Sequence, residues 1–79
     1  MADTSYNGWK NRETWNVALY IQNDYGFYQV ARTCKTYAEW LEKTRALGIR
    51  GSATADGVPY LSHKISKREI NEMFKELRS

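Results

Sequence analysis

Few side chains in this sequence carry the means for covalent or acid–base chemistry. His63 is the one histidine and Cys34 the one cysteine. A catalytic nucleophile needs a base within hydrogen-bond reach, and no acid or nucleophile stands at a recognisable spacing from His63. It reads as a loop residue, exposed or bonded to backbone. Cys34 falls on an apolar helical face, where a free thiol behaves as a small hydrophobe. Alone it closes no internal disulfide, and no Cys/His cluster has metal-ligand spacing, so neither a metal nor a cofactor is expected. Glu39 with Glu42, and Glu69 with Glu72 and Glu76, recur at helical spacing and imitate paired acid–base carboxylates. Helix capping and solvated, salt-bridged faces account for them more simply. No glycine-rich phosphate loop or hydrolase elbow is present. The expectation is a protein that is not an enzyme.

Binding chemistry is better represented. Lys64, Lys67 and Arg68 crowd the start of the C-terminal helix, and Arg50 is expected near them. Cations at a helix start oppose the dipole slightly, which folding does not explain, and phosphates could be contacted there. Glu69, Glu72 and Glu76 dilute that field. Tyr20, Tyr25, Tyr28 and Tyr60 could stack on bases if exposed, although half-buried rings with wet hydroxyls are their commoner role. The rival reading is a protein-interaction module. Aromatic residues and arginine are the types that anchor interfaces, with outward Tyr20, Tyr28 and Tyr37 as hot spots. The expected contact residues are Arg50, Asp56, Tyr60, Lys64, Lys67 and Arg68, because the long loop and the basic helix start are what folding explains least. A protein partner is favoured, nucleic acid is the alternative, and self-association would use the same surface.

The elements that must position these residues begin at Trp9 to Asp24. Asn11 can cap a helix, and Glu13 places negative charge in its first turn. Trp15 and Leu19 stand four apart, as do Val17 and Ile21, so the helix should be central and touched from two sides. Trp9 is expected to fold back over the first turn near Trp15 as a variant staple. Asn23-Asp24-Tyr25-Gly26 reads as a turn, with Asp24 placed to cap the next helix.

From Phe27 onward the apolar spacing suits one continuous helix, but Thr36 with Glu39 forms a capping box that marks a fresh start. Two helices with a bend near Lys35 are preferred. Gly48 should end the second of them, with Lys43 and Arg45 complementing its dipole. Residues 49–65 lose helical periodicity. Val58, Tyr60, Leu61 and Ile65 are candidate anchors for this long loop, and a hairpin across Asp56-Gly57 is a second choice. Ser66 with Glu69 opens the last helix, and Ile70, Met73, Phe74 and Leu77 make its buried stripe. The expected architecture is all-α, a small bundle of four short helices near 11–23, 26–34, 37–47 and 66–78, with one long ordered loop before the last and a loose tail over residues 1–8.

Seventy-nine residues suffice for one domain and one core, burying only about 60% of the unfolded surface at this size. An aromatic content of 14% helps, and Trp9, Trp15, Phe27, Trp40 and Phe74 are the expected centre. The net charge of +3 comes from twelve basic and nine acidic residues that are interspersed. That pulls weakly towards an acidic partner and argues against a DNA mimic, whose surface would be strongly acidic. The Met-Ala-Asp-Thr-Ser start lacks the features of a signal peptide, and no apolar stretch approaches the ~20 residues of a membrane span. With one unpaired cysteine, the expectation is a soluble protein of the cytoplasm.

The run Trp-Lys-Asn-Arg-Glu-Thr-Trp-Asn-Val-Ala-Leu-Tyr-Ile-Gln-Asn-Asp at residues 9–24 resembles the opening of a family of small uncharacterised proteins carried by bacteriophages, especially marine cyanophages. Asp56-Gly57-Val58 and the later Glu-Ile-Asn-x-Met-Phe helix are compatible with it; elsewhere the chain carries no resemblance. The resemblance implies no activity and no catalytic residues. It does imply a phage-encoded accessory protein acting in a bacterial cytoplasm on a host factor.

Overall fold

In the computed structural model, which describes residues 8–78, Asn11 turns the chain into α1 (Arg12–Asn23). Its backbone is extended, and its side-chain oxygen accepts the Thr14 N–H at 2.9 Å, satisfying one donor that the first turn leaves without an internal partner. Asp24 then serves two helices. Its N–H closes α1 onto the Tyr20 carbonyl, and its carboxylate caps α2 (Tyr25–Ala31) by accepting the Phe27 N–H at 3.1 Å.

The second helix stops at Ala31, three residues short of the expected 34. Thr33 and Cys34 donate to the carbonyls of Val30 and Ala31, and the Thr33 hydroxyl also bonds Val30 O at 2.7 Å. This tightening into three-residue turns ends the helix before the bend. Thr36 begins α3 (Tyr37–Ala46), so the stretch is two helices. The capping box forms with a shift, because Glu39 accepts the N–H of Lys35 at 2.7 Å. That bond, the largest cause, holds its carboxyl below the usual carboxylate range.

Gly48, with φ of 72°, ends α3 as expected. Its N–H bonds Arg45 O, and the next N–H, from Ile49, returns to Thr44 O. This is the paired bonding that a left-handed residue permits at a helix end. Ser66 opens α4 (Lys67–Arg78), where Glu69 N–H reaches its hydroxyl at 3.4 Å.

Between α3 and α4 the chain makes a rudimentary hairpin. Ala53 and Pro59 form a single antiparallel bridge, Gly57 N–H bonds Thr54 O, and Thr54 N–H bonds Val58 O. Gly57 has φ of 89°, as a three-residue hairpin loop closed by a left-handed glycine requires. No strand forms among the described residues. Of the four expected loop anchors, Val58, Tyr60 and Ile65 are buried, whereas Leu61 is 75% exposed.

The core gathers Val17, Ala18 and Ile21 of α1, Phe27 of α2, Tyr37 and Trp40 of α3, and Ile70 and Phe74 of α4. The architecture is thus a small all-α domain. Two expectations about its packing need correction. The inward pair of α1 is Val17 and Ile21; Trp15 is half-buried and Leu19 is 38% exposed. Tyr37 does not point outward but is buried, stacked on Trp40 with ring centres 5.6 Å apart. Trp9 is half-buried and lines a groove with Gln22 of α1 and Glu69, Met73 and Leu77 of α4. Apart from Gly8, the expected tail lies outside the described residues. No described helix is long and apolar enough to cross a membrane.

Candidate functional site

Of the six residues expected to meet a partner, Tyr60 is buried, Arg50 is half-buried, and Asp56, Lys64, Lys67 and Arg68 are exposed. Arg50 is a strut inside the fold. Its Nε donates to Thr44 Oγ1 at 3.0 Å, Nη2 to Leu41 O at 3.3 Å and Nη1 to Gly51 O at 3.2 Å, while the guanidinium lies 5.6 Å from the centre of the Tyr60 ring. It thereby ties the loop to the end of α3, where exposed carbonyls favour a cation. Tyr60 is a core residue, 3% exposed. Its carbonyl accepts the Tyr37 hydroxyl at 2.7 Å. Burial pushes both phenols above their usual range, against the opposing pull of the Arg50 charge.

Asp56 is exposed, but it belongs to a chain of bonds that sequence reasoning missed. Its carboxylate accepts from Asn16 Nδ2 at 2.8 Å, Asn16 Oδ1 accepts from Thr54 Oγ1 at 2.7 Å, and Thr54 Oγ1 accepts the Val58 N–H at 3.1 Å. Asn16 is fully buried. A polar side chain in such a place must be bonded, and this one clips the hairpin to the middle of α1. The only hint in the sequence is an asparagine flanked by Trp15 and Val17.

Lys64, Lys67 and Arg68 are exposed, as expected. The structure adds two neighbours. Asn11 Nδ2 donates to Lys64 O at 2.7 Å, Lys10 N–H to Glu69 Oε1 at 2.9 Å, and Ser66 N–H to Thr14 Oγ1 at 2.8 Å. These bonds seat the starts of α1 and α4 side by side, so Lys10 and Arg12, also exposed, join the basic cluster. None of these five cations forms an ion pair among the described residues, where Arg45–Glu42 is the pair present.

A different face is apolar. Val30, Ala46 and Leu47, with Gln29, Thr33 and Lys43, line an open groove of about 500 Å³ between α2 and α3. Leu47 is 63% exposed. Ile49, 45% exposed, passes over the start of α2, where a Cβ on Gly26 would lie 3.8 Å from its Cδ1, beside the exposed Tyr25. Lys43 crosses one end to reach the Thr33 carbonyl and hydroxyl at 3.5 and 3.4 Å. The second groove, about 520 Å³, is lined by Trp9, Met73 and Leu77 together with Glu69, Glu72 and Glu76. These glutamates, at steps of three and four along α4, thus border a groove, and Glu72 and Glu76 are exposed there.

No three His, Cys, Asp or Glu residues gather as a metal site among the described residues. Cys34 is buried, and burial raises its thiol above the usual value. Such a thiol is a poor nucleophile. The chain matches the Family of unknown function (DUF7249) over residues 2–79. It belongs to that family. No curated protein and no solved structure matches it.

Proposed function

We propose that this DUF7249 member is a non-enzymatic, phage-encoded accessory protein that acts in the bacterial cytoplasm by binding a host or phage protein through the groove between α2 and α3. The phage assignment rests on the resemblance carried by residues 9–24. The observation that carries the binding role is the groove's own apolar lining of Val30, Ala46 and the exposed Leu47, with Ile49 exposed two residues further on and Tyr25 exposed at the start of α2. These side chains lie outside a core that Phe27 and Trp40 already close. Apolar surface gathered in a concave site is the kind that a partner covers. Lys43 lies within the groove, and Arg32 and Lys35 are exposed beyond the end of α2. The fitting occupant is a protein segment presenting apolar side chains flanked by carboxylates.

A photo-crosslinking residue placed at Ala46 tests this in host lysate, with and without phage infection. A discrete crosslinked protein is expected, and Leu47→Asp combined with Val30→Ser should abolish it while Lys67→Glu leaves it intact. A crosslinked species indifferent to the groove substitutions, or one containing only a second copy of this chain, would overturn the reading.

A further inference from the structure

We propose that the joined starts of α1 and α4 form a second, independent binding surface, one for the phosphate backbone of nucleic acid, with Lys10, Arg12, Lys64, Lys67 and Arg68 as the contacting residues. Convergence is the first argument. Three bonds between residues 52 to 59 positions apart hold the two helix starts together, and so bring two short basic runs of the sequence onto one surface. Neither run alone would be more than a solvated charge run.

Charge balance is the second. Arg12, Lys67 and Arg68 stand in the first turns of their helices, where the dipole disfavours cations. No described carboxylate pairs with any of the five. Glu69, the acid nearest in sequence to Lys67 and Arg68, has one carboxylate oxygen engaged by the Lys10 N–H. The helix ends are themselves occupied, since Asn11 and Ser66 cap them. The attraction therefore lies with the five side chains, which are free to reach outward.

The character of the surface selects phosphate over protein. A specific protein interface has an apolar centre, whereas a nucleic-acid interface is polar and positive. The exposed large apolar residues are Leu19, Tyr25, Leu47, Ile49 and Leu61. None falls in segments 10–13 or 62–69, which carry the cations. Binding here is consequently expected to depend on salt and to ignore base sequence.

Fluorescence anisotropy of the full chain with labelled duplex and single-stranded oligonucleotides, across a salt titration, measures it. Five phosphate contacts predict that log K falls against log salt with a slope of about −4 to −5 for duplex and about −3 to −4 for single strands. Arg12→Gln, Lys67→Gln and Arg68→Gln together should weaken binding at least about tenfold and reduce the slope by about 3, each single change taking about 1. Lys35→Gln, Arg45→Gln and Lys75→Gln remove the same charge elsewhere and should cost less than about threefold. Circular dichroism confirms folding, and the single variants carry the test if the triple variant unfolds. Absence of association at low salt, an equal loss in the control variant, or displacement by polyglutamate as effective as by oligonucleotide of equal charge would each overturn the proposal.

Discussion

Thr14 and Ser66 are bonded across 52 positions of sequence, the hydroxyl of the first accepting the backbone N–H of the second at 2.8 Å. Thr14 is fully buried, and its own N–H is capped by Asn11. One side chain thus belongs to the first turn of α1 and completes the start of α4. Thr14→Val keeps the shape and removes the acceptor, leaving the Ser66 N–H without a partner at a part-buried seam. The expected loss is about 1–3 kcal/mol. Ser66→Ala, which gives up only a long cap at 3.4 Å, should cost about 1 kcal/mol or less. Urea unfolding of both variants decides it; a Thr14→Val protein as stable as the parent would show that water replaces the hydroxyl.

The Asn16 link makes a second prediction. Asn16→Ala strands the Thr54 hydroxyl, which is almost wholly buried, and opens space inside α1. A loss of about 2–3 kcal/mol is expected. Asp56→Ala removes an exposed partner that water can replace, so its cost should stay below about 1 kcal/mol. Hydrogen exchange gives the local readout: the amides of Thr54 and Val58 should lose protection in Asn16→Ala while α3 keeps its own. Equal effects of the two substitutions would assign the link's worth to the surface carboxylate.

Alkaline stability is the third. Burial raises the phenols of Tyr37 and Tyr60 above their usual value of 10.0. A raised folded-state value means that the unfolded chain loses these protons first. Their stabilisation is complete below about pH 10 and declines as the pH climbs through the raised values. Tyr37→Phe should lower stability at neutral pH by about 1–3 kcal/mol, since it strands the Tyr60 carbonyl, yet lose less on going from pH 9 to pH 11. Parallel decline of variant and parent would locate the alkaline sensitivity elsewhere. Glu39 acts in the opposite sense: its contribution is present above the ordinary carboxylate range and fades as acid protonates it through its lowered value.

Local devices were the readable part of this fold. As caps, Asn11, Asp24, Thr36, Ser66 and Gly48 bond within four residues of themselves, so those roles follow from types and short spacings. The inward face of α1 did not follow, because Trp15–Leu19 and Val17–Ile21 are both apolar pairs four apart. The packing of the later elements against α1 decides between them. The basic cluster was half readable: Lys64, Lys67 and Arg68 are sequence neighbours, whereas Lys10 and Arg12 reach them through bonds spanning more than fifty positions. Arg50 misled for a related reason. An isolated arginine in a loop looks available, and only the folded chain brings Leu41, Thr44 and Tyr60 to it.

The seam between the first and last helices also sets a timetable for biosynthesis. Ile70 and Phe74, both fully buried, are supplied by α4, and the bonds at Lys10, Asn11 and Thr14 wait for residues 64, 66 and 69. A nascent chain halted before α4 clears the ribosome therefore has a core without Ile70 and Phe74 and an α1 start without its partners, and the form of this protein most open to chaperones and proteases is the one still being made.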